Sequence, residues 1–171
     1  MKKFLFSLGL MSGTSMDGVD VSIIKSDGNR EYSTILDKYF EYNKDVYQKL
    51  ISIRNKILSP KDLKTQSNEL QSIEREITLF HANAVNEILE ESKIEIDFIG
   101  FHGQTIFHDP DKKITKQLGD GKLLSQLTKK TVIYDFRQND LKNGGHGAPL
   151  TPIFHKLLKK KFKLKEVTFV N

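Results

Sequence analysis

The stretch LGLMSGTSMDGVDVSII, Leu8–Ile24, sets the frame for the whole chain. An apolar run leads into a small polar patch: Gly13, Thr14, Ser15, Met16, Asp17 and Gly18, with Asp20 just beyond Val19. Val19, Val21 and Ile23 then alternate with less apolar neighbours, the period of a half-buried strand. Two strands joined by a Gly-rich loop follow from this pattern. Amides of such a loop can approach phosphate oxygens closely, because glycine lacks Cβ. Thr14 and Ser15 add hydroxyl donors, and Asp17 or Asp20 can hold the water shell of a magnesium ion. An ordinary hairpin loop uses the same residue types, and composition alone favours that plainer reading. No Gly-Lys-Ser/Thr occurs and a strand follows, so the stretch is not a P-loop.

Outward from this loop, Lys3 to Leu10 reads as a first strand. SDGN at Ser26–Asn29 marks a hairpin turn, and Thr34 to Phe40 reads as a third strand, giving an antiparallel meander. Asn43 caps a helix whose apolar face carries Val46, Leu50, Ile53 and Ile57. Ser59 and Pro60 suit the start of a long second helix reaching about Lys93, with Ser59 as the cap. Its stripe of Leu63, Leu70, Ile73, Ile77, Phe80, Ala84 and Ile88 fits packing on a sheet better than a coiled-coil seam. Ile96 to Phe101 reads as a short buried strand ending in the polar turn FHGQT. KITKQLGDG is a short strand and Gly-rich turn, and Asp120 or Gly121 starts a helix through Leu127. TVIYDF is a buried strand, RQNDLKNGGHGAP a long loop, Pro149 to Lys160 a helix, and Glu166 to Asn171 a last strand. The order predicts a mixed α/β domain. Three polar loops follow strands, and sites in open α/β sheets gather beyond the carboxyl ends of strands.

The bulk numbers narrow the classes. The 171 residues are 37% hydrophobic and 29% charged, which suits a packed core. No cysteine is present, so disulfides and thiolate metal sites are excluded, and a reducing, cytoplasmic compartment is expected. The net charge of +5 is local, since KLLKKKFKLK at Lys156–Lys165 holds six of the 27 basic residues. A solvated helix end explains that run. No RNP, helix-turn-helix or zinc-finger pattern supports a nucleic-acid partner. The opening apolar run is short, interrupted by Ser7 and Gly9, and followed by no cleavage pattern, so it reads as a strand and not a signal peptide. No stretch approaches the roughly 20 apolar residues of a membrane span.

In the second loop, Gln104 and a neutral His102 suit hydrogen bonding to a polyhydroxylated substrate. A strand-end turn with a satisfied histidine fits the same residues, and a metal pair of His102 with His108 has no third ligand nearby. In the third loop, Arg137 can pair with Asp135 or bind a carboxylate through two parallel hydrogen bonds. Gly144, Gly145 and Gly147 favour a packing or ligand role over a plain flexible loop.

GLMSGTSMDGVDV, FHGQTIFHDP, QLGDG and DFRQNDLKNGGHGAPLTPIFH resemble, in order, the signature segments of the anhydro-N-acetylmuramic acid kinase family. The resemblance implies the first lobe of an actin/hexokinase-like, ribonuclease H-like ATPase fold over residues 1–171, with ATP clasped between two lobes. It implies a kinase of peptidoglycan recycling that uses ATP, Mg2+ and water to open 1,6-anhydro-N-acetylmuramic acid and phosphorylate its 6-oxygen. ATP contacts then fall on Gly13, Thr14, Ser15, Met16, Asp17, Gly18, Val19 and Asp20, with Asp17 on the metal side. Sugar contacts fall on His102, Gln104 and Arg137; that Arg137 meets the lactyl carboxylate is an inference from its chemistry and not part of the resemblance. The third loop departs from the family's Gly-Gly-Gln-Gly by placing His146 in the third position. The family's catalytic aspartate lies in a segment expected beyond Asn171, so no catalytic residue is assigned in this chain and inactivity alone is expected. The implied partners are ATP, the sugar, and the second lobe or a second copy of the chain. The alternative is a catalytically dead sugar- or nucleotide-binding module.

Overall fold

The structure is a computed structural model and describes residues 4–169. Three antiparallel strands open it: β1 (Leu5–Ser12), β2 (Gly18–Ser26) and β3 (Tyr32–Glu41). Helices α1 (Lys44–Lys56), α2 (Asp62–Thr65) and α3 (Ser67–Ser92) follow. Then come β4 (Phe98–Asp109), β5 (Ile114–Leu118), α4 (Gly121–Thr128), β6 (Val132–Tyr134), α5 (Gln138–Lys142) and α6 (Leu150–Lys161). The strands form one mixed sheet of six, ordered β3-β2-β1-β4-β5, with β6 also on β4. This is the mixed α/β architecture with an opening meander that the residue pattern predicts. No helix among the described residues is long and apolar enough to cross a membrane.

Alternation decides which sheet face is buried. Leu8 and Leu10 of β1 and Val19, Val21 and Ile23 of β2 point to one side, against Leu50 and Ile53 of α1 and Ile73, Ile77 and Ile88 of α3. Ile77 is fully buried, so truncating it to Ala costs ~2–5 kcal/mol. Helix α1 starts where Asn43 accepts the Val46 amide at 2.9 Å. Helix α3 ends with Lys93 in the left-handed region, its amide donating to the Leu89 carbonyl. The α3 stripe packs on the sheet and on α1, as the sequence predicts.

The structure corrects five expectations. The long helix is broken at Gln66, leaving α2 as a single turn. Ser59 is not its cap: the Asp62 carboxylate accepts from the Leu58 and Ser59 amides and from the Ser59 hydroxyl, so that hydroxyl is spent as a donor. The expected turn after Phe101 is strand: β4 runs on to Asp109 and forms a hairpin with β5. The turn of that hairpin is Asp109–Lys113, closed by the Lys113 amide on the Pro110 carbonyl at 3.0 Å. The long third loop contains the short helix α5. Of the last expected strand, 166–169 carry none, while Val170 and Asn171 lie outside the described residues, as does Lys3 of the first.

Strand β4 has an unusual division of labour. On one side it pairs in parallel with β1. On the other, its Ile99–Phe101 segment pairs with β6 and its Gln104–Asp109 segment with β5. The two partners part at His102 and Gly103. Gly103 has φ +74°, and a Cβ there would meet the Leu118 carbonyl oxygen at 2.4 Å, so only glycine fits this kink. The kink resets the alternation: Phe101 and Gln104 are both buried, where a regular strand would point them to opposite faces.

Candidate functional site

Strands β1, β4 and β6 are mutually parallel, so their carboxyl ends point the same way. Ser12, the last residue of β1, stands beside Gln104 in the register. The three polar segments singled out in the sequence therefore share one sheet edge, the usual place for a ligand crevice.

The first loop is compact. The Met16 amide donates to the Gly13 carbonyl at 3.2 Å, and the Tyr42 amide to the Asp17 carbonyl at 2.8 Å. Met16, at φ 60°, drives its side chain into the core and anchors the turn. Gly18 and Val19 are also buried, so what Met16, Gly18 and Val19 offer a ligand is backbone. Thr14, Ser15, Asp17 and Asp20 are exposed, and Gly13 is half-buried. The Ser15 hydroxyl donates to Asp17 Oδ1 at 2.6 Å and holds the Asp17 carboxyl below its ordinary range, so it is ionised at neutral pH. Among the described residues no group of three or more His, Asp or Glu converges on a metal position. A single ionised carboxylate fits Mg2+, which keeps several waters and is usually shared with substrate phosphates.

Behind this loop lies a sealed polar cluster. Ser12 Oγ sits 2.9 Å from the Gly18 carbonyl, 3.0 Å from the Tyr42 hydroxyl and 2.5 Å from Gln104 Oε1. Gln104 Nε2 donates to the Gly13 carbonyl at 2.8 Å. Gln104 is fully buried and both halves of its amide are committed inside the protein. It joins β4 to the first residue of the loop.

His102 and Arg137 form a second cluster, half-buried at the kink. His102 Nδ1 donates to the Gly103 carbonyl at 2.7 Å, and its Nε2 accepts from Arg137 Nε at 2.8 Å. These partners fix a neutral ring. Burial pushes the His102 pKa down, and the Arg137 charge adds to this against the opposing Gly103 bond. Arg137 Nη1 donates to the Gly147 carbonyl at 2.7 Å. The Nε–H and one Nη1–H are therefore already engaged, which removes the side-on fork through Nε and leaves the other Nη1–H and both Nη2–H groups. Beside this cluster, where β5 and β6 part, a cavity of about 220 Å³ is lined by Phe101, His102, Gln117, Tyr134, Asp135 and Gln138 among others. Arg137 does not pair with Asp135; it turns to His102 and Gly147.

Four residues of this edge escape the sequence reading. Ser12 and Tyr42 complete the sealed cluster, and Asp140 takes the Gly147 amide at 2.7 Å. His81 lies directly beneath, its ring 5.0 Å from that of Phe101 and fully buried. Its Nδ1 donates to the Ile77 carbonyl at 2.7 Å, and Nε2 finds no protein partner. Burial pushes its pKa down to about 4. A signal existed for two of them: Ser12 continues the core alternation of Leu8 and Leu10, and His81 continues the α3 stripe of Ile73 and Ile77.

The model of the anhydro-N-acetylmuramic acid kinase family matches residues 5–170. Three proteins named anhydro-N-acetylmuramic acid kinase are similar to this chain. That of Pelagibacter ubique is 57% identical, over 97% of this chain and 44% of its own length. That of Agrobacterium fabrum is 40% identical, over 89% and 42%, and that of Rhizobium etli 41%, over 96% and 46%. The chain spans less than half the length of these relatives. With its fold, its three loops on one edge and these matches, the chain belongs to the anhydro-N-acetylmuramic acid kinase family.

Proposed function

We propose that this chain is the first lobe of a kinase acting on 1,6-anhydro-N-acetylmuramic acid, binding ATP phosphates at Gly13–Asp20 and the sugar beside His102 and Arg137. In the reaction, water adds at C1, the 1,6-anhydro bond opens, and the 6-oxygen takes the γ-phosphoryl group. The products are N-acetylmuramic acid 6-phosphate and ADP. The observation that carries this reading is the Gln104 bridge. It ties the Gly13 carbonyl to the strand that holds His102, so the Gly-rich loop and the His102–Arg137 cluster share one edge, which supports the reading.

The roles divide by exposure. Thr14 presents its hydroxyl and the Gly13–Met16 turn its exposed backbone to the phosphates, while the Ser15 hydroxyl holds Asp17. Asp17, ionised and exposed, is the residue that would hold Mg2+, whose chemistry is to neutralise phosphate charge. Arg137 keeps its remaining Nη1–H and Nη2–H donors for the lactyl carboxylate, which it meets end-on and not through Nε. His102, with both nitrogens engaged, orients Arg137 and walls the cavity. Gln104 acts as a strut between the two halves of the edge. The general base that activates water belongs to the remaining length of the relatives, and such proton transfer is worth ~10²–10⁴-fold.

The test is ATP-dependent phosphorylation of the anhydro sugar by the purified chain, alone and fused to the remaining portion of the Pelagibacter relative. The fusion is expected to turn over and the chain alone to stay at background. A fusion that folds and binds ATP but never phosphorylates the sugar contradicts the reading.

A further inference from the structure

The glycine-rich stretch NGGHG, 143–147, follows α5 directly. One residue in it is gripped at both ends of its backbone. The Gly147 amide donates to Asp140 Oδ2 at 2.7 Å, and the Gly147 carbonyl accepts from Arg137 Nη1 at 2.7 Å. Both grips come from the same helical turn. The Asp140 backbone carbonyl also accepts the Gly145 amide at 2.8 Å, and a Cβ on Gly145 would collide with the Asp140 carboxylate. The loop thus wraps closely around that carboxylate. From Gly147 the chain of bonds runs on through Arg137 Nε to His102 Nε2, and through His102 Nδ1 to the Gly103 carbonyl.

We propose that Asp140 is a positioning residue: by holding Gly147 it fixes Arg137, and through Arg137 it fixes the ring state of His102 at the cavity edge. A carboxylate acceptor is suited to this, since hydrogen bonds to an ionised group are about twice as strong as neutral ones. Without it, Gly147 would carry only the Arg137 bond, and the guanidinium would lose a fixed carbonyl to rest on. The importance of the fixed pair for catalysis rests on the reading of this edge as the sugar side; the relay itself does not.

Nitrogen-detected NMR of the His102 ring, with amide exchange at Gly147, tests the relay on the chain itself with no nucleotide or sugar present. A failure here is therefore separate from a failure of the kinase reading. In the unaltered chain His102 shows a protonated Nδ1 and an acceptor Nε2. Asp140→Ala should quicken Gly147 exchange about tenfold to a hundredfold and turn the His102 signals into a mixture of ring states. Arg137→Lys should change the His102 signals while Gly147 stays protected by Asp140. Asp140→Asn, which keeps an acceptor but no charge, should quicken Gly147 exchange less than Asp140→Ala does and keep the ring state of His102. Should Asp140→Ala lower protection across the chain, Asp140→Asn decides. Unchanged Gly147 exchange in Asp140→Asn, or an unchanged His102 ring in a folded Asp140→Ala, overturns the proposal.

Discussion

Two polar clusters stand side by side on β4, one sealed and one open. Ser12, Tyr42 and Gln104 are all buried and all neutral, and they satisfy one another and the loop backbone. His102, Arg137 and Asp140 are half-buried, and two of the three carry charge. Neutral amides and hydroxyls can be buried at little cost once paired, whereas buried charge carries a heavy desolvation penalty. The molecule therefore builds its strut from the first kind and leaves the charged Arg137 and Asp140 half-buried, with His102 of that cluster on the cavity wall. Gly103 separates them by a single kink.

The sharpest way to break this comparison is to remove one residue from each side. Gln104→Ala removes a buried side chain together with its bonds to Ser12 Oγ and the Gly13 carbonyl, so urea unfolding should show a loss of about 2–4 kcal/mol. His102→Ala, at a half-exposed position, should cost about 1 kcal/mol or less. Equal losses would erase the distinction between strut and ligand edge.

Acid offers a second contrast, of similar size. His81 has a folded pKa of about 4 against an ordinary value of 6.5. The unfolded chain therefore binds the proton more readily, so stability is intact above about pH 6.5 and falls as pH drops towards 4. The full loss is about 3 kcal/mol. His102, lowered in the same direction by burial, adds to the slope. A His81→Leu variant should flatten most of it in pH-dependent melts; an unchanged slope would show that His81 is not the group responsible.

On the open side, Asp17→Asn should leave stability within about 0.5 kcal/mol, because the residue is exposed. In a fusion of full family length it should weaken ATP–Mg2+ binding about tenfold to a hundredfold, the size of a charge-assisted contact. Unchanged nucleotide affinity would demote Asp17 to a turn residue held by Ser15.

The smallest expected effect concerns association. Ile153, Phe154 and Phe162 of the α6 region are exposed, Ile153 by 68%. Exposed apolar patches favour self-association. Light scattering of the concentrated chain should show species larger than a monomer, reduced by Ile153→Glu with Phe162→Glu. A clean monomer throughout would contradict it.

The meander, α1, α3 and α4 were legible because hydrophobic period and caps act locally: Asn43 and Asp120 cap the helices expected of them. The β4–β5 hairpin was not. Gly103 interrupts the alternation of β4, so a continuous strand reads as strand plus turn. Helix α5 was hidden because its residues, Gln138–Lys142, sit in a glycine-rich context and only Leu141 is buried. At the site, the first loop was legible as a polar loop between two strands, and Thr14, Ser15, Asp17 and Asp20 are exposed on it. The partners of Gln104 were not, because Ser12 and Gly13 meet it across sequence separations of 92 and 91, and Tyr42 joins the cluster through Ser12. The same long-range pairing explains Arg137, whose partner is His102, 35 positions away, and not the adjacent Asp135.

The most direct test of the central claim is amide and side-chain NMR of this chain titrated first with ATP–Mg2+ and then with the anhydro sugar. The account predicts that ATP shifts signals of Gly13–Asp20, that the sugar shifts those of His102 and Arg137, and that the Gln104 side-chain amide keeps its slow exchange throughout. Shifts by both ligands away from this edge, or a Gln104 amide that exchanges freely, would contradict it.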